Sequence, residues 1–278
     1  MGEAGQHRGS ASRWGSLFGE RAHDWAETWE GPKGYGTRLY RQVLDRANVG
    51  LGTRVLDCGC GAGRFARMAA DRGASVAGID AADELIAIAA ARTPEADFRV
   101  GDLESLPWPD ESFDVVTGMN AFQFADDKIR ALSEARRVSK GPVAVVVPAR
   151  AAESGITSVF KPLFPLYPPE ALESMKHSGM FALSQSVMLD QILDAAGLTV
   201  YEDDEIGLSI VFDDLDAAER AFVGAGPMAL AIRHSGEQAV RRAVRDALAP
   251  WVDAEGSIKL PGWYRVVLAR VFSQTAAA

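Results

Sequence analysis

Residues 54–64 read Arg54-Val55-Leu56-Asp57-Cys58-Gly59-Cys60-Gly61-Ala62-Gly63-Arg64, and this stretch decides the fold. Arg54–Asp57 is a short apolar run closed by an acid, the pattern of a buried strand. The glycines that follow permit a tight turn and let backbone N–H groups approach a ligand closely. Helical spacing resumes over Arg64–Asp71, so the stretch predicts strand, turn and helix. Its spacing is G-x-G-x-G. Arg64 stands where a dinucleotide fingerprint, G-x-G-x-x-G, needs Gly or Ala. A carboxylate at Asp57 repels a pyrophosphate but suits a cation or an amine. The ligand expected is therefore a nucleoside with a positive group. A glycine-rich connection that binds nothing is the plain alternative, and the motif alone does not exclude it.

Working outward, the same alternation repeats. Strand Ser75–Asp80 precedes an Ala-rich helix at Ala82–Ala91, and strand Asp97–Val100 ends at Gly101-Asp102. Strand Asp114–Gly118, helix Asp127–Val138 and strand Val143–Val147 follow. Strands alternating with helices of about 10 residues predict βαβ units and a doubly wound, Rossmann-like α/β fold with a mostly parallel sheet. Such sheets place ligands beyond the carboxyl ends of their strands. Asp80, 21 residues after Gly59, sits where a carboxylate accepts from both ribose hydroxyls, and Asp102 where one accepts from an adenine amino group. Each acid alone reads equally as a helix or turn cap. Together with Asp57 and the glycines, at successive strand ends, they form a specific signal.

Val55 to Gly63, Gly78-Ile79-Asp80, and Gly101-Asp102-Leu103 through Leu106-Pro107-Trp108-Pro109-Asp110-Glu111-Ser112-Phe113-Asp114 resemble the class I S-adenosylmethionine-dependent methyltransferases. The nearest likeness is to the small-molecule branch that includes the quinone-biosynthesis C-methyltransferases, and it covers about residues 50–147. The resemblance implies a seven-stranded sheet with a final antiparallel strand, supplied by 258–271. It implies S-adenosylmethionine as cofactor. The loop with Gly59, Cys60, Gly61 and Gly63 would meet its methionine portion, beside Asp57. Asp80 and Ala81 would meet the ribose, Leu85, Asp102 and Leu103 the adenine, and Met119-Asn120 the ammonium. Trp25, Trp29 or Tyr35 would cap the site from the N-terminal segment, with aromatic core packing as the other reading.

Many small-molecule relatives carry His after the fourth strand. The matching position in Phe122-Gln123-Phe124 is Gln123, which removes the easiest assignment of a general base. The remaining catalytic candidates are Glu170, His177 and Tyr167. Glu170 and His177 lie seven residues apart on one expected helix face, though Glu170 also fits a helix-start acid. Tyr167 would donate to an acceptor oxygen. His23 and His234 are singletons of surface or structural type. Phe160, Phe164, Phe181 and Phe212 suggest an apolar chamber, with core packing as the default for each. Arg241 and Arg245, in a group with Arg233 and Arg242, share a helix face that suits an anionic substrate or, more plainly, solvent. No metal-ligand spacing stands out.

Composition bounds the rest. The chain has 278 residues, 47% hydrophobic and 24% charged, and a formal net charge of −9. An acidic chain has no global field to attract nucleic acid or anionic lipid. No apolar run approaches the roughly 20 residues of a membrane helix, and the start lacks a signal-peptide apolar core. The two cysteines, Cys58 and Cys60, are too close to bridge without strain. These features predict a cytoplasmic protein, monomer or homodimer, acting on a small molecule. The abundance of Ala, Arg, Asp and Gly resembles high-GC bacterial proteins and suggests specialised metabolism. We expect residues 1–48 to form an N-terminal cap and 49–148 the cofactor-binding core. Segments 149–187 and 207–250 would cover the substrate, and 188–206 and 258–273 would complete the core. Residues 1–12 and the tail after Gln274 read as disordered. Two other functions share these features: a cofactor used as scaffold for another reaction such as a cyclisation, and a non-catalytic cofactor-binding partner.

Overall fold

The central strands are continuous apolar runs because both faces of their sheet are covered. In a computed structural model, which describes residues 10–32, 34 and 36–271, these strands are β1 (Arg54–Cys58), β4 (Val115–Met119) and β5 (Val143–Ala149). Outside them lie β2 (Ser75–Asp80), β3 (Asp97–Val100), β6 (Thr199–Phe212) and β7 (Ile258–Arg270). The seven strands run in the order β3-β2-β1-β4-β5-β7-β6. β3, β2, β1, β4 and β5 are mutually parallel, while β7 is antiparallel to both β5 and β6.

Side chains alternate across the strands and bury two separate layers. Leu56, Val116 and Val145 pack on Leu132 and Ala135 of helix Lys128–Val138 and on Leu189 and Leu193 of helix Ser186–Ala195. Val55, Val115, Ala144 and Val146 pack on Leu39 and Val43 of helix Gly36–Arg46 and on Phe65 and Ala69 of helix Arg64–Ala70. The chain leaves β1 toward β3 and returns on the other side as β4. A crevice therefore opens at the carboxyl ends of β1 and β4.

β6 and β7 pair along their whole length, from Thr199↔Arg270 to Phe212↔Ile258, but β5 reaches only as far as Trp263. The overhang carries a third core. Ile210, Phe212, Ile258 and Leu260 pack there with Phe160, Phe222, Val240, Val244 and Leu248 from the lid helices. Those include Gly155–Phe160, Leu215–Val223, Met228–Ser235 and Glu237–Leu248.

Some expectations shift. The segment expected to leave the sheet at 207 stays in β6 to Phe212. Its acidic run, Glu202-Asp203-Asp204-Glu205, reads as a strand end, yet arginines from elsewhere pair with every member. Arg46 binds Glu202 and Asp204 (3.0 and 2.5 Å), Arg265 binds Asp203 (2.7 Å) and Arg150 binds Glu205 (2.6 Å). The final antiparallel strand expected from 258–271 is present as Ile258–Arg270. Ser10–Ser12, expected to be disordered, begin helix Ser10–Gly19. The other residues to which disorder was assigned, and Tyr35, lie outside the described residues. No helix among the described residues is long and apolar enough to cross a membrane.

Candidate active site

The loop after β1 is held by the end of β2. Gly59 N and Cys60 N donate to Ile79 O of β2, at 2.8 and 3.0 Å. Asp80 then accepts from Gly61 N (2.9 Å) and from Ala82 N (3.0 Å). Gly61 has a left-handed backbone (φ +55°), and a Cβ there would lie 2.1 Å from Glu30 Oε1. Only glycine satisfies both limits.

Glu30 is the residue that sequence reasoning missed. It is 6% exposed. Its Oε1 accepts from Ala62 N (2.9 Å) and Trp25 Nε1 (2.6 Å), and its Oε2 from Arg64 N (3.0 Å). It thereby caps helix Arg64–Ala70 from outside, where helix N-termini favour negative charge. The partners are 32 and 34 residues away, so no local pattern marks it.

Asp57 is 1% exposed. Thr117 Oγ1 lies 3.3 Å from its Oδ1, while its Oδ2 is buried without a partner. Burial pushes its carboxyl well above the usual range, and the Glu30 and Asp80 carboxylates add to this. Burial raises Glu30 and Asp80 too, against the pull of their backbone N–H donors. Arg92 pairs with Glu30 at 3.4 Å, but Asp57 and Asp80 have no cationic partner among the described residues. A bound positive group would correct that imbalance, and the unspent carboxylate oxygen at Asp57 could accept from an ammonium. The arrangement fits a sulfonium amino acid nucleoside and opposes a diphosphate. Burial also pushes the Cys58 and Cys60 thiols up, so neither supplies a thiolate nucleophile.

These groups line one cavity, with about 1400 Å³ of empty space including its mouth. Asp57, Gly59, Cys60, Gly61, Asp80, Ala81, Leu85, Asp102, Leu103, Met119, Asn120 and Trp25 all line it. Asn120 reverses the chain after β4 (φ +56°) and donates its N–H to Val146 O at 2.9 Å. Asp102 accepts from Glu104 N at 3.0 Å, so it also caps its own turn. Gly63 is the exception among the expected residues. A Cβ there would lie 2.8 Å from that of Ala89, which makes Gly63 a contact between two helices.

The opposite wall is aromatic. Trp14, Phe18, Phe124 and Phe181 line the cavity with Met180 and Pro227. Trp14 meets Phe124 edge to face, ring centroids 4.9 Å apart. Helix Ser10–Gly19 is tied down there. Arg13 binds Ser174 Oγ (3.0 Å), Ser178 Oγ (2.8 Å) and Asp126, and Trp14 Nε1 donates to Ser178 Oγ (3.1 Å). Trp29 lines the cavity too, with its Nε1 spent on Ala221 O (2.7 Å). Among the described residues, no Lys, Arg or His lines the cavity.

The three catalytic candidates are not brought to this cavity. Tyr167 is buried in the lid core, its hydroxyl 3.5 Å from Met228 Sδ, and burial pushes its phenol up. Glu170 opens helix Pro169–His177 as an exposed first-turn acid, and His177 is exposed at its other end. A helix-start acid is favourable on dipole grounds alone. His23 and His234 are exposed as well. Of the phenylalanines suggested for the chamber only Phe181 lines it; Phe160 and Phe212 belong to the lid core and Phe164 is 43% exposed. Arg241 and Arg245 both bind Glu219, each at 2.6 Å, and Arg245 also binds Asp216. That is a surface ion-pair network.

With this geometry in place, comparison with known proteins identifies the family. Residues 56–146 match a methyltransferase domain model. A protein of Mycolicibacterium smegmatis named as a probable S-adenosylmethionine-dependent methyltransferase is 32% identical over 223 residues, 78% of this chain and 74% of that one. A demethylmenaquinone methyltransferase of Renibacterium salmoninarum is 35% identical over 107 residues, 38% of this chain and 45% of that one. Among solved structures, the YcgJ protein of Bacillus subtilis shares the fold, with a TM-score of 0.57 and 23% identity over 85% of this chain and 99% of that one. The strand-end carboxylates, the glycine loop and the relatives agree: the chain belongs to the S-adenosylmethionine-dependent methyltransferases and is an enzyme that uses S-adenosylmethionine.

Proposed function

We propose that this enzyme methylates a small, partly apolar metabolite held between the glycine-rich loop and the aromatic wall of the lid. The single observation that carries this reading is that both walls belong to one cavity. Asp80 and Ala81 would hold the ribose, and Leu85, Asp102 and Leu103 the adenine. The backbone of Gly59, Cys60 and Gly61, with Asp57, Met119 and Asn120, would hold the methionine portion, and Trp25 would cap it. When bound, S-adenosylmethionine supplies an electrophilic sulfonium methyl; the acceptor's electron pair forms the new bond, and the pair of the broken C–S bond stays on sulfur.

The chain's own residues then contribute position and dryness. Carboxylates on one side fix the positive end of the cofactor, while Trp14, Phe124 and Phe181 present an apolar surface to the acceptor and exclude water. In-line placement of two reactants supplies much of such an acceleration. The negative net charge, and a cavity lined by no basic side chain among the described residues, support a neutral small molecule over nucleic acid. We place the enzyme in the bacterial cytoplasm and in specialised metabolism, on its composition and its bacterial relatives, as a monomer or homodimer.

Calorimetric titration with S-adenosylmethionine and S-adenosylhomocysteine, with NAD as control, tests the site. Micromolar binding of the first two and none of NAD is the expected result. Acceptors are then screened for a product heavier by one CH₂; cofactor binding with no methylated product from any acceptor would sink the methyl-transfer reading.

A further inference from the structure

Gln123 lies in the short turn Phe122–Phe124 that follows β4. Its backbone is clamped, because Gly179 N donates to Gln123 O at 3.2 Å and Ser178 Oγ to Phe124 O at 2.7 Å. Gln123 is among the residues that line the cavity, and it is 0% exposed. Neither Oε1 nor Nε2 has a hydrogen-bond partner. Buried side-chain amides almost always have partners, and those that lack them are explained by a missing ligand or water. Around it the wall is largely hydrocarbon, from Trp14, Phe124, Met180 and Phe181, and no Lys, Arg or His lines the cavity among the described residues. The carboxyl groups of Glu30 and Asp80 are engaged by the glycine loop, which leaves Gln123 as an uncharged group with a donor and an acceptor unspent.

We propose that Gln123 orients the methyl acceptor through a two-point hydrogen bond to a neutral edge that offers one donor beside one acceptor. A cis-amide or lactam, or a hydroxyl next to a carbonyl, is the matching chemistry on an otherwise apolar, flat body. An anionic group at this edge would find no counter-charge, and an edge lacking the donor would leave Oε1 unpaired. Gln123 is thus a positioning and specificity residue rather than a base, since an amide takes no proton near neutral pH. The inference rests on the small-molecule reading above and adds the class of acceptor.

The probe is 2-quinolinone, a neutral aromatic lactam, titrated into the S-adenosylhomocysteine complex beside its N-methyl derivative, which lacks the donor. The wild-type complex binds the lactam about tenfold tighter than the derivative, one hydrogen bond's worth. In Gln123→Leu that preference disappears, while S-adenosylhomocysteine affinity stays within about twofold. The variant's Tm holds or rises, because an apolar side chain replaces an unpaired buried amide. Three results would overturn the proposal: no wild-type preference for the lactam, a preference that survives in Gln123→Leu, or a large fall in Tm that reveals a structural role. Failure of S-adenosylhomocysteine to bind in the first titration would instead count against the cofactor site.

Discussion

The glycine-rich end of β1 and the aromatic wall opposite it close on the same cavity by opposite means. The first uses backbone N–H groups and carboxylates, set within a few residues of a strand end. Asp80 holds Gly61 N, and β2's Ile79 O holds Gly59 N and Cys60 N. The second uses apolar side chains gathered from distant parts of the chain. Trp29 packs on Phe212 and Phe222 and donates to Ala221 O, 192 residues away. Strand-end polar geometry suits the proposed cofactor contacts, and hydrocarbon shape suits the proposed acceptor. The contrast sets a polar wall against an apolar one within one cavity.

Substitutions on each side should therefore separate stability from cofactor affinity. The largest effect is expected in the lid. Phe222 is 0% exposed, and Phe222→Ala should cost about 4 kcal/mol of stability. Calorimetric melting should show the loss, with S-adenosylhomocysteine affinity reduced far less than stability. An equal loss of both would mean the two walls form one cooperative unit.

Asp80→Ala should act the other way round. It removes the acceptor for Gly61 N and Ala82 N and for the proposed ribose contacts. A loss of about 2 kcal/mol, roughly thirtyfold in S-adenosylmethionine affinity, is expected by titration calorimetry. Unchanged affinity would remove the assigned cofactor pose.

The pH dependence comes next. Asp57, Glu30 and Asp80 have raised carboxyl pKa values. The folded apo chain therefore keeps their protons longer than the unfolded chain does. The contribution of these three groups to stability is fullest below the ordinary carboxylate range and falls as pH rises through the raised values. Binding of a cationic cofactor has the opposite sign. Affinity should strengthen over that same window, by up to about tenfold per pH unit for each proton released. S-adenosylhomocysteine, which lacks the sulfonium charge, should show the shallower slope. Equal slopes for both ligands would deny the carboxylates a role at the sulfonium.

The smallest effect is expected at the tether of helix Ser10–Gly19. Arg13 is partly exposed and its Asp126 partner more so, and such pairs contribute about 1 kcal/mol or less. Arg13→Ala should scarcely move Tm, yet hydrogen exchange over 10–19 should speed up while that of β1 and β4 stays unchanged. Exchange that is unaltered throughout would mean the aromatic contacts of Trp14 alone hold the helix.

Much of this was legible in the residues themselves, and the reason is physical. A parallel strand buried on both faces is an apolar run, and its carboxyl end must turn, so Val55–Gly63, Ile79-Asp80 and Gly101–Leu103 declare both element and site. Side-chain roles that depend on a distant partner declare nothing. Glu30 reads as one more acid in an aromatic stretch until the fold lays it on Ala62 N and Arg64 N. Glu202–Glu205 reads as the end of a strand until Arg46, Arg150 and Arg265 pair with it. Glu170 and His177 share a helix, but only the packing of that helix decides that they point away from the cavity. The sequence by itself determined the α/β class, the strand-end motif and the kind of cofactor, because these follow from local periodicity and turn chemistry. The tertiary structure alone decided which carboxylates are buried together, how far β6 extends, and that Gln123 stands unpaired in an apolar wall. Burial and electrostatic compensation are properties of neighbours in space, and no spacing along the chain encodes them.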